Sequence, residues 1–494
     1  MEISRVAVGE SPLPTDFDVV IIGAGLSGIN TAYHLQTQLP GTSYTILEGR
    51  SRLGGTWDFF RYPGIRSDSD MVTFGFSWNQ WSRKERLGNA EQIRSYLQNS
   101  AESVGIDKNI RYNHKVLSAD WSTTSKSWTV TAMNGQKKRT YHAKFMVLGT
   151  GYYDYENPLE TTIPGLSNFK GTVVHPQFWP EDLDYAGKDV AVIGSGATAI
   201  TLIPSMAEKT KSITMLQRSP SYIVSLPILL EEGRLAKFIN TIVPSSVARW
   251  LKRMRLILSG TYFYSFCKLF PAKAKTLLRS VTIEQLPADM SVDPHFNPKY
   301  NPWDQRLCVC PGGDFFAMLR SGQASVVTDT IAAVTDREIQ LASGQALKPD
   351  IVITATGIKL QFGGGMQISI DGRPVDIAEK FTWKGAMVQD VPNLMFILGY
   401  ANASWTLGAD VVAQIFVRLL RLLQKRGAQA AVPRLENPAG MPERAVFDLS
   451  SSYMRNAKEV FPRAGTGNWD HKRNYILDMF GAQWGSVERG LVIE

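Results

Sequence analysis

The sequence predicts an α/β protein built from two copies of one strand–glycine turn–helix–strand unit, with a mostly helical insertion in the second copy. Three observations carry this expectation. Asp18 to Ile22 (DVVII) is a short continuous apolar run, the pattern of a parallel strand buried on both faces. It leads into GAGLSG and then INTAYHLQTQL, an apolar-periodic segment that stops before Pro40 and Gly41. From Asp189 the same order returns as DVAVI, GSGATA, ITLIPSMAEK and SITML, which is repetition on the scale of a domain.

The remaining elements follow in order. Residues 1–16 (MEISRVAVGESPLPTD) have no apolar core and are expected to be a flexible tail, not a signal peptide. A second strand, Tyr44 to Leu47, stops at Glu48. Three later apolar runs each end near a glycine, where chain and ligand can approach closely: Phe145 to Leu148, Asp350 to Thr354, and Pro392 to Leu398. A chain of 494 residues exceeds one ordinary core. We expect a first unit over 17–160 and the start of the second over 161–221. A helical insertion follows over 222–295, the rest of the second unit over 296–385, and a return to the first over 386–494.

Composition narrows the function classes. Hydrophobic residues at 44% and charged residues at 20% suit a soluble globular protein. The net charge of +8 is scattered, apart from short groups such as Lys137, Lys138 and Arg139, and no nucleic-acid motif accompanies it. Three cysteines cannot staple a chain of this size, so a reducing, cytoplasmic setting is expected. Cys308 and Cys310 form CxC and read as small apolar residues on alternate strand positions. His34, His114, His142, His295 and His471 show no metal-ligand spacing, and no metal is expected. No uncharged apolar run approaches the ~18–20 residues of a spanning helix. Arg249 to Arg255 (RWLKRMR), followed by LILSGTYFYSFCKLF, is compatible with peripheral contact to an anionic membrane. Its plainer readings are a solvated helix face over a core, or the wall of an apolar substrate entrance.

The glycine turns carry the first chemistry. Gly23, Gly25 and Gly28 form GxGxxG, which permits a tight turn, backbone approach to a pyrophosphate, and close helix–strand packing. The following helix N-terminus offers unpaired N–H groups to phosphate. Glu48 stands 20 residues beyond Gly28, as a ribose contact requires, and this site is expected to hold FAD. In the second turn Gly194, Gly196 and Ala199 form GxGxxA around Ala197 and Thr198. No acid ends its second strand; Arg218 and Ser219 stand there, and a guanidinium can bind a 2′-phosphate bidentately. That selects NADPH. Pro204, inside the second helix, is expected to kink it.

Two further motifs resemble a known family. Phe169, Gly171, His175, Trp179 and Pro180 match FxGxxxHxxxW(P/D), the fingerprint of type I Baeyer–Villiger monooxygenases. Gly54, Gly55, Trp57, Tyr62, Pro63, Gly64 and Asp68 match that family's (A/G)GxWxxxx(F/Y)P(G/M)xxxD. Longer stretches, GGTWDFFRYPGIRSDSD, YNPWDQRLC and GYANASWTL, look most like its ethionamide-activating subgroup. The resemblance runs from about residue 17 to about 475 and weakens in the insertion and at the C-terminus.

It implies two Rossmann-like domains, for FAD and NADPH, and a C4a-peroxyflavin that attacks a ketone or aldehyde, or a sulfur, of an apolar small molecule. Gly55, Thr56, Trp57 and Asp68 would contact FAD. Arg306 would be the active-site cation, oriented by a buried neighbour, Asp68. Gln305 stands where the family often has a lysine contacting the 2′-phosphate. His175, on the linker, is expected to couple domain movement to NADP(H) binding rather than transfer protons. Trp405 is a candidate for the substrate pocket. The competing readings are a flavin monooxygenase confined to nitrogen or sulfur, a disulfide reductase (disfavoured by the lack of CxxC), and a noncatalytic flavin-binding partner protein.

Overall fold

A computed structural model describes residues 14–230, 242–447 and 449–494. The expected tail therefore lies outside the described residues up to position 13, as do positions 231–241 of the expected insertion.

The first sheet is centred on Asp16–Ile22, which is buried at its C-terminal end. It runs parallel to Tyr44–Leu47 and to Lys137–Leu148, so that Ile22 aligns with Leu47 on one side and Leu148 on the other. The strand expected to begin at Phe145 starts earlier, at Lys137. Its outer half (KKRTYHAK) pairs with Ser127–Asn134 in a largely solvent-facing antiparallel meander, and its polar residues hide it as a loop in the sequence. Leu394–Phe396 adds to the same strand, in parallel. Gln367–Ile370 already pairs with His114–Ser122, so the chain rejoins this sheet ahead of residue 386. Helices Leu26–Gln38 and Trp405–Arg426 pack together on one face of the sheet, around Ile29, Val412, Ile415 and Phe416. Between them Asn30 Nδ2 donates to Asp410 Oδ1 at 2.9 Å.

The second sheet is wholly parallel, in the order Ala324–Thr328, Ser212–Gln217, Asp189–Ile193, Ile351–Thr354 and Thr172–Val174. Helices Ala197–Met206 and Asp314–Arg320 cover one face, and a small antiparallel sheet from Ile331 to Leu347 covers the other. The helix runs through Pro204 to Met206, and the Ala207 N–H still reaches Ile203 O at 3.0 Å, so no break follows the proline.

Within the expected insertion Ile223–Leu226 is a strand, paired in parallel with Cys308–Pro311, and the helices are Ser245–Leu269 and Pro271–Ile283. The insertion's anchoring departs from expectation. Arg253, in the basic run, is buried and donates to Val72 O (2.6 Å) and Gly75 O (2.8 Å), with Asp410 at 3.7 Å. An unpaired buried guanidinium would cost several kcal/mol, so these partners tie the long helix to the first unit. The shorter helix reaches the second unit instead, through Leu278 beside Tyr222 and Leu307. Residues past 475 form a helix, Tyr475–Trp484, held by Arg418 donating to Ala482 O and Gly485 O, and a final strand pairing with Ala431–Pro433.

Behind this helix Lys472 is buried and donates to Gly385 O. Burial pulls its ammonium from 10.5 down to about 7. Between those values the unfolded chain holds a proton that the folded chain lacks, so the group adds stability as pH rises and removes it as pH falls toward 7. Thermal melts should therefore rise more steeply between pH 7 and 9 for the wild type than for Lys472→Met. Parallel curves would refute the depressed lysine.

Candidate active site

Both glycine turns open onto one cavity of about 1510 Å³, larger than the ~300–1,000 Å³ that suits a single drug-sized ligand. Its walls come from both sheets. In the first turn Gly23 has φ 99°, and a Cβ there would lie 2.8 Å from Gly149 O. A Cβ on Gly25 would stand 3.7 Å from the Gly55 Cα, so bare backbone meets bare backbone at the cavity wall. Gly28 does not line it; there the helix packs on the strand turn. No side chain caps the N-terminus of Leu26–Gln38, leaving its N–H groups for phosphate.

The buried Glu48 carboxylate accepts from the Ala24 N–H (2.8 Å) and the Arg50 N–H (2.9 Å), and burial pushes it above the usual carboxylate range. These donors fix its orientation, and each oxygen keeps a lone pair for a ribose hydroxyl. Thr56 Oγ1 meets Tyr155 Oη at 3.1 Å, and Trp57 packs edge-on to Phe74. Both line the cavity.

The sequence reading missed Asp58. It is fully buried and ringed by Arg50 (2.9 Å), Arg61 (3.2 Å), Arg52 (3.5 Å) and Arg94 (3.6 Å). One carboxylate cannot neutralise four guanidiniums, so positive charge remains beside the glycine turns. Arg50 itself lines the cavity.

In the second turn Gly194 has φ 137°, with Ala355 O only 2.2 Å from where a Cβ would stand. Gly196, Ala197 and Thr198 line the cavity, whereas Ala199 is buried in the helix packing. Arg218 and Ser219 are exposed at the end of their strand and also line it. Ser195 Oγ donates to Ser219 O at 2.9 Å, which fixes that corner. The residues present thus fit two dinucleotides: backbone for phosphates at both turns, an acid at one ribose and a cation at the other.

The loop between the units explains the second motif. Desolvation pushes the Tyr62 hydroxyl up to about 12, opposed by a hydrogen bond with Thr198 of the second turn. Gly64 (φ 74°) lies so close to the second helix that a Cβ would stand 1.7 Å from Ser205 Oγ. Arg66 then grips Asp314 at 2.6 Å.

Arg306 lines the same cavity, half-buried, and its Nη2 donates to Tyr152 Oη at 3.4 Å. Tyr152 stacks on Trp405 (4.9 Å between centroids), whose Nε1 donates to Ser27 Oγ at 2.8 Å. Tyr152 was missed because an aromatic pair after GTG looks like core. Asp68 lines the same cavity but is exposed, and among the described residues no hydrogen bond or ion pair joins it to Arg306. The expected buried pair is therefore not formed in this conformation. Asp68 sits on an open loop, and its charge is felt at Tyr62 and Cys308.

His175 does not line the cavity. Its Nδ1 accepts from the Gln177 N–H at 3.2 Å where the edge strand Thr172–Val174 ends, and burial depresses its pKa. The rest of the fingerprint is packing: Phe169 is buried against the second sheet, and a Cβ on Gly171 would meet Asp350 O at 2.4 Å. Gln177 Nε2 donates to Asp154 O (2.8 Å), binding this stretch to the segment that leaves the first sheet. All three cysteines are buried free thiols, none lining the cavity, with Cys308 and Cys310 pushed up to about 12 by burial. Among the described residues no cluster of metal-ligating side chains occurs.

Two nucleotide turns around one cavity that a guanidinium also lines define a two-dinucleotide flavoprotein, and none of the three cysteines lines that cavity. Residues 20–226, which span both glycine turns, match the profile of the family described as pyridine nucleotide-disulphide oxidoreductase. Curated relatives extend over nearly the whole chain. The FAD-containing monooxygenase EthA of Mycolicibacterium smegmatis is 43% identical, with 96% of each chain covered. The probable FAD-binding monooxygenase AlmA of Acinetobacter baylyi is 44% identical over 93% of this chain and 92% of its own. Among solved structures, a steroid monooxygenase bound to NADP is similar with TM-score 0.74 at 22% identity, covering 97% of this chain and 99% of that one. A cyclohexanone monooxygenase gives 0.75 at 20% identity, covering 97% and 100%. The chain belongs to the FAD-containing monooxygenases of the EthA, AlmA and MymA type, class B flavoprotein monooxygenases.

The inter-unit wedge is open to test. Gly64→Ala should cost roughly 1–3 kcal/mol, from positive-φ strain and the contact with Ser205. Adding Ser205→Gly should recover part of it. Denaturant melts that leave Gly64→Ala at wild-type stability would contradict the wedge.

Proposed function

We propose that the chain is a Baeyer–Villiger monooxygenase, closest in kind to the ethionamide-activating subgroup. On this reading it uses FAD, NADPH and O₂ to insert oxygen beside the carbonyl of an apolar ketone or aldehyde. The observation that carries it is Arg306, a guanidinium braced by Tyr152 in the cavity onto which both glycine turns open. Bound FAD would take hydride from NADPH and, once reduced, activate O₂.

The chain's own residues divide the remaining work. Gly23, Gly25, Gly55 and the N-terminus of Leu26–Gln38 hold the FAD pyrophosphate, with the surplus charge around Asp58 as its electrostatic complement. Glu48 holds the ribose. Gly194, Gly196, Ala197 and Thr198 receive the NADPH pyrophosphate, and Arg218 with Ser219 takes the 2′-phosphate. The first sheet with the chain after Gln367 is then the FAD domain, and Thr172 to Thr354, less the insertion, the NADPH domain. Arg306 stabilises negative charge that develops on the carbonyl oxygen under attack. Asp68 tunes the charge around the guanidinium from the open loop. Trp405, stacked on Tyr152, forms an apolar wall for substrate. His175, outside the cavity, acts by position at the linker.

Oxygenation of sulfur or nitrogen alone is the second reading, since an electrophilic oxygen transfer asks less of a cation. Product analysis with a ketone and a sulfide separates the two, and sulfoxide without ester from any ketone would overturn the first.

Arg306→Ala should keep FAD and still accept hydride, yet lose ketone turnover by about 10²–10³-fold. Wild-type ester formation in that variant would remove the arginine from the chemistry. Arg218→Ala should raise the KM for NADPH about tenfold or more, the worth of a charged hydrogen-bonding pair, and leave that for NADH nearly unchanged. Equal changes for both would show that Arg218 does not read the 2′-phosphate.

A further inference from the structure

The long insertion helix leaves an apolar stripe in solvent. Val247, Leu251, Leu258, Tyr262 and Leu269 are exposed and recur at steps of four and seven, which puts them on one side of Ser245–Leu269. A helix that only covers a core shows polar residues on such a face. The C-terminal helix Tyr475–Trp484 does the same: Leu477 is 70% exposed, Phe480 63% and Trp484 67%, at steps of three and four. The two helices meet at one apolar cluster, where Met254 and Tyr475 both pack against Ile257, Tyr400 and Leu407.

The charge of this region is one-sided. From residue 242 to 283 there are eight Lys or Arg and no Asp or Glu. Arg253 is consumed in anchoring, Lys268 pairs with Asp304 and Arg279 with Asp293. Arg249, Arg255, Lys273 and Lys275 also stand on the two insertion helices.

We propose that the exposed stripes of Ser245–Leu269 and Tyr475–Trp484 dock this protein on the surface of an anionic lipid bilayer. Leu258, Leu477 and Phe480 enter the acyl boundary, while Trp250, Tyr262 and Trp484 sit at headgroup depth, where amphipathic aromatics are favoured. The basic side chains face anionic headgroups. A second copy is the poorer occupant, because a two-fold contact through this face would set its basic residues against themselves. Among the described residues no helix is long and apolar enough to cross a membrane, so the attachment is to the surface. The platform also backs onto the cavity: Ile257 packs with Tyr400, which lines it.

The test uses the full-length, FAD-loaded protein and vesicles of phosphatidylcholine, alone or mixed with phosphatidylglycerol. Sedimentation at low salt should pellet the protein with the mixed vesicles about tenfold more than with phosphatidylcholine, and high salt should release it. Leu258→Glu/Leu477→Glu and Arg249→Glu/Arg255→Glu should each lose that binding while keeping bound FAD and NADPH oxidation. No phosphatidylglycerol-dependent pelleting, or pelleting unchanged in both variants, would overturn the proposal. So would self-association of the wild type that Leu258→Glu abolishes with no change in lipid binding.

Discussion

Two nucleotide turns can share a cavity only if something holds their sheets at a fixed separation, and here that is the loop from Tyr62 to Arg66. Tyr62 meets Thr198, Gly64 fits against Ser205, and Arg66 grips Asp314, all across the same gap. The contact at Gly64 leaves no room for a methyl group. The same loop continues to Asp68, so the segment that spaces the units also brings a carboxylate to the cavity wall.

Charge is arranged to suit this frame. Beside the first turn a lone carboxylate, Asp58, is surrounded by guanidiniums, while Glu48 is held by backbone donors. Asp58 limits repulsion among the arginines and fixes them in place, and the excess faces a cavity suited to anionic groups. Arg306 is handled differently. It stands half-buried against a tyrosine hydroxyl, and the aromatic stack of Tyr152 on Trp405 keeps that hydroxyl in position.

Much of this was legible in the sequence because burial on both faces writes a strand as an apolar run, and glycine marks where it meets a ligand. Asp18 to Ile22 and Asp189 to Ile193 are strands in the structure, and the glycines after them stand at the cavity. The outer half of Lys137–Leu148 was illegible, since a solvent-facing meander carries no apolar run. The ring around Asp58 was hidden because its arginines, at 50, 52, 61 and 94, converge only in three dimensions. Arg253 misled for a related reason. In RWLKRMR every basic residue looks solvated, and only the helix's rotation turns that one inward. The fingerprint around His175 is made of residues that mostly pack a sheet edge.

The pairing of Leu26–Gln38 with Trp405–Arg426 bears on the order in which the chain can fold. Asn30 finds its partner Asp410 only 380 residues later, and Leu394–Phe396 must be made before the central sheet is complete. The second sheet draws all its strands from between Thr172 and Thr354. During synthesis, then, the second unit has its full set of strands while the first still lacks those from Gln367 onward and a covering helix. The amino-terminal unit is started first and finished last, and until the chain is nearly complete its apolar sheet face stands open.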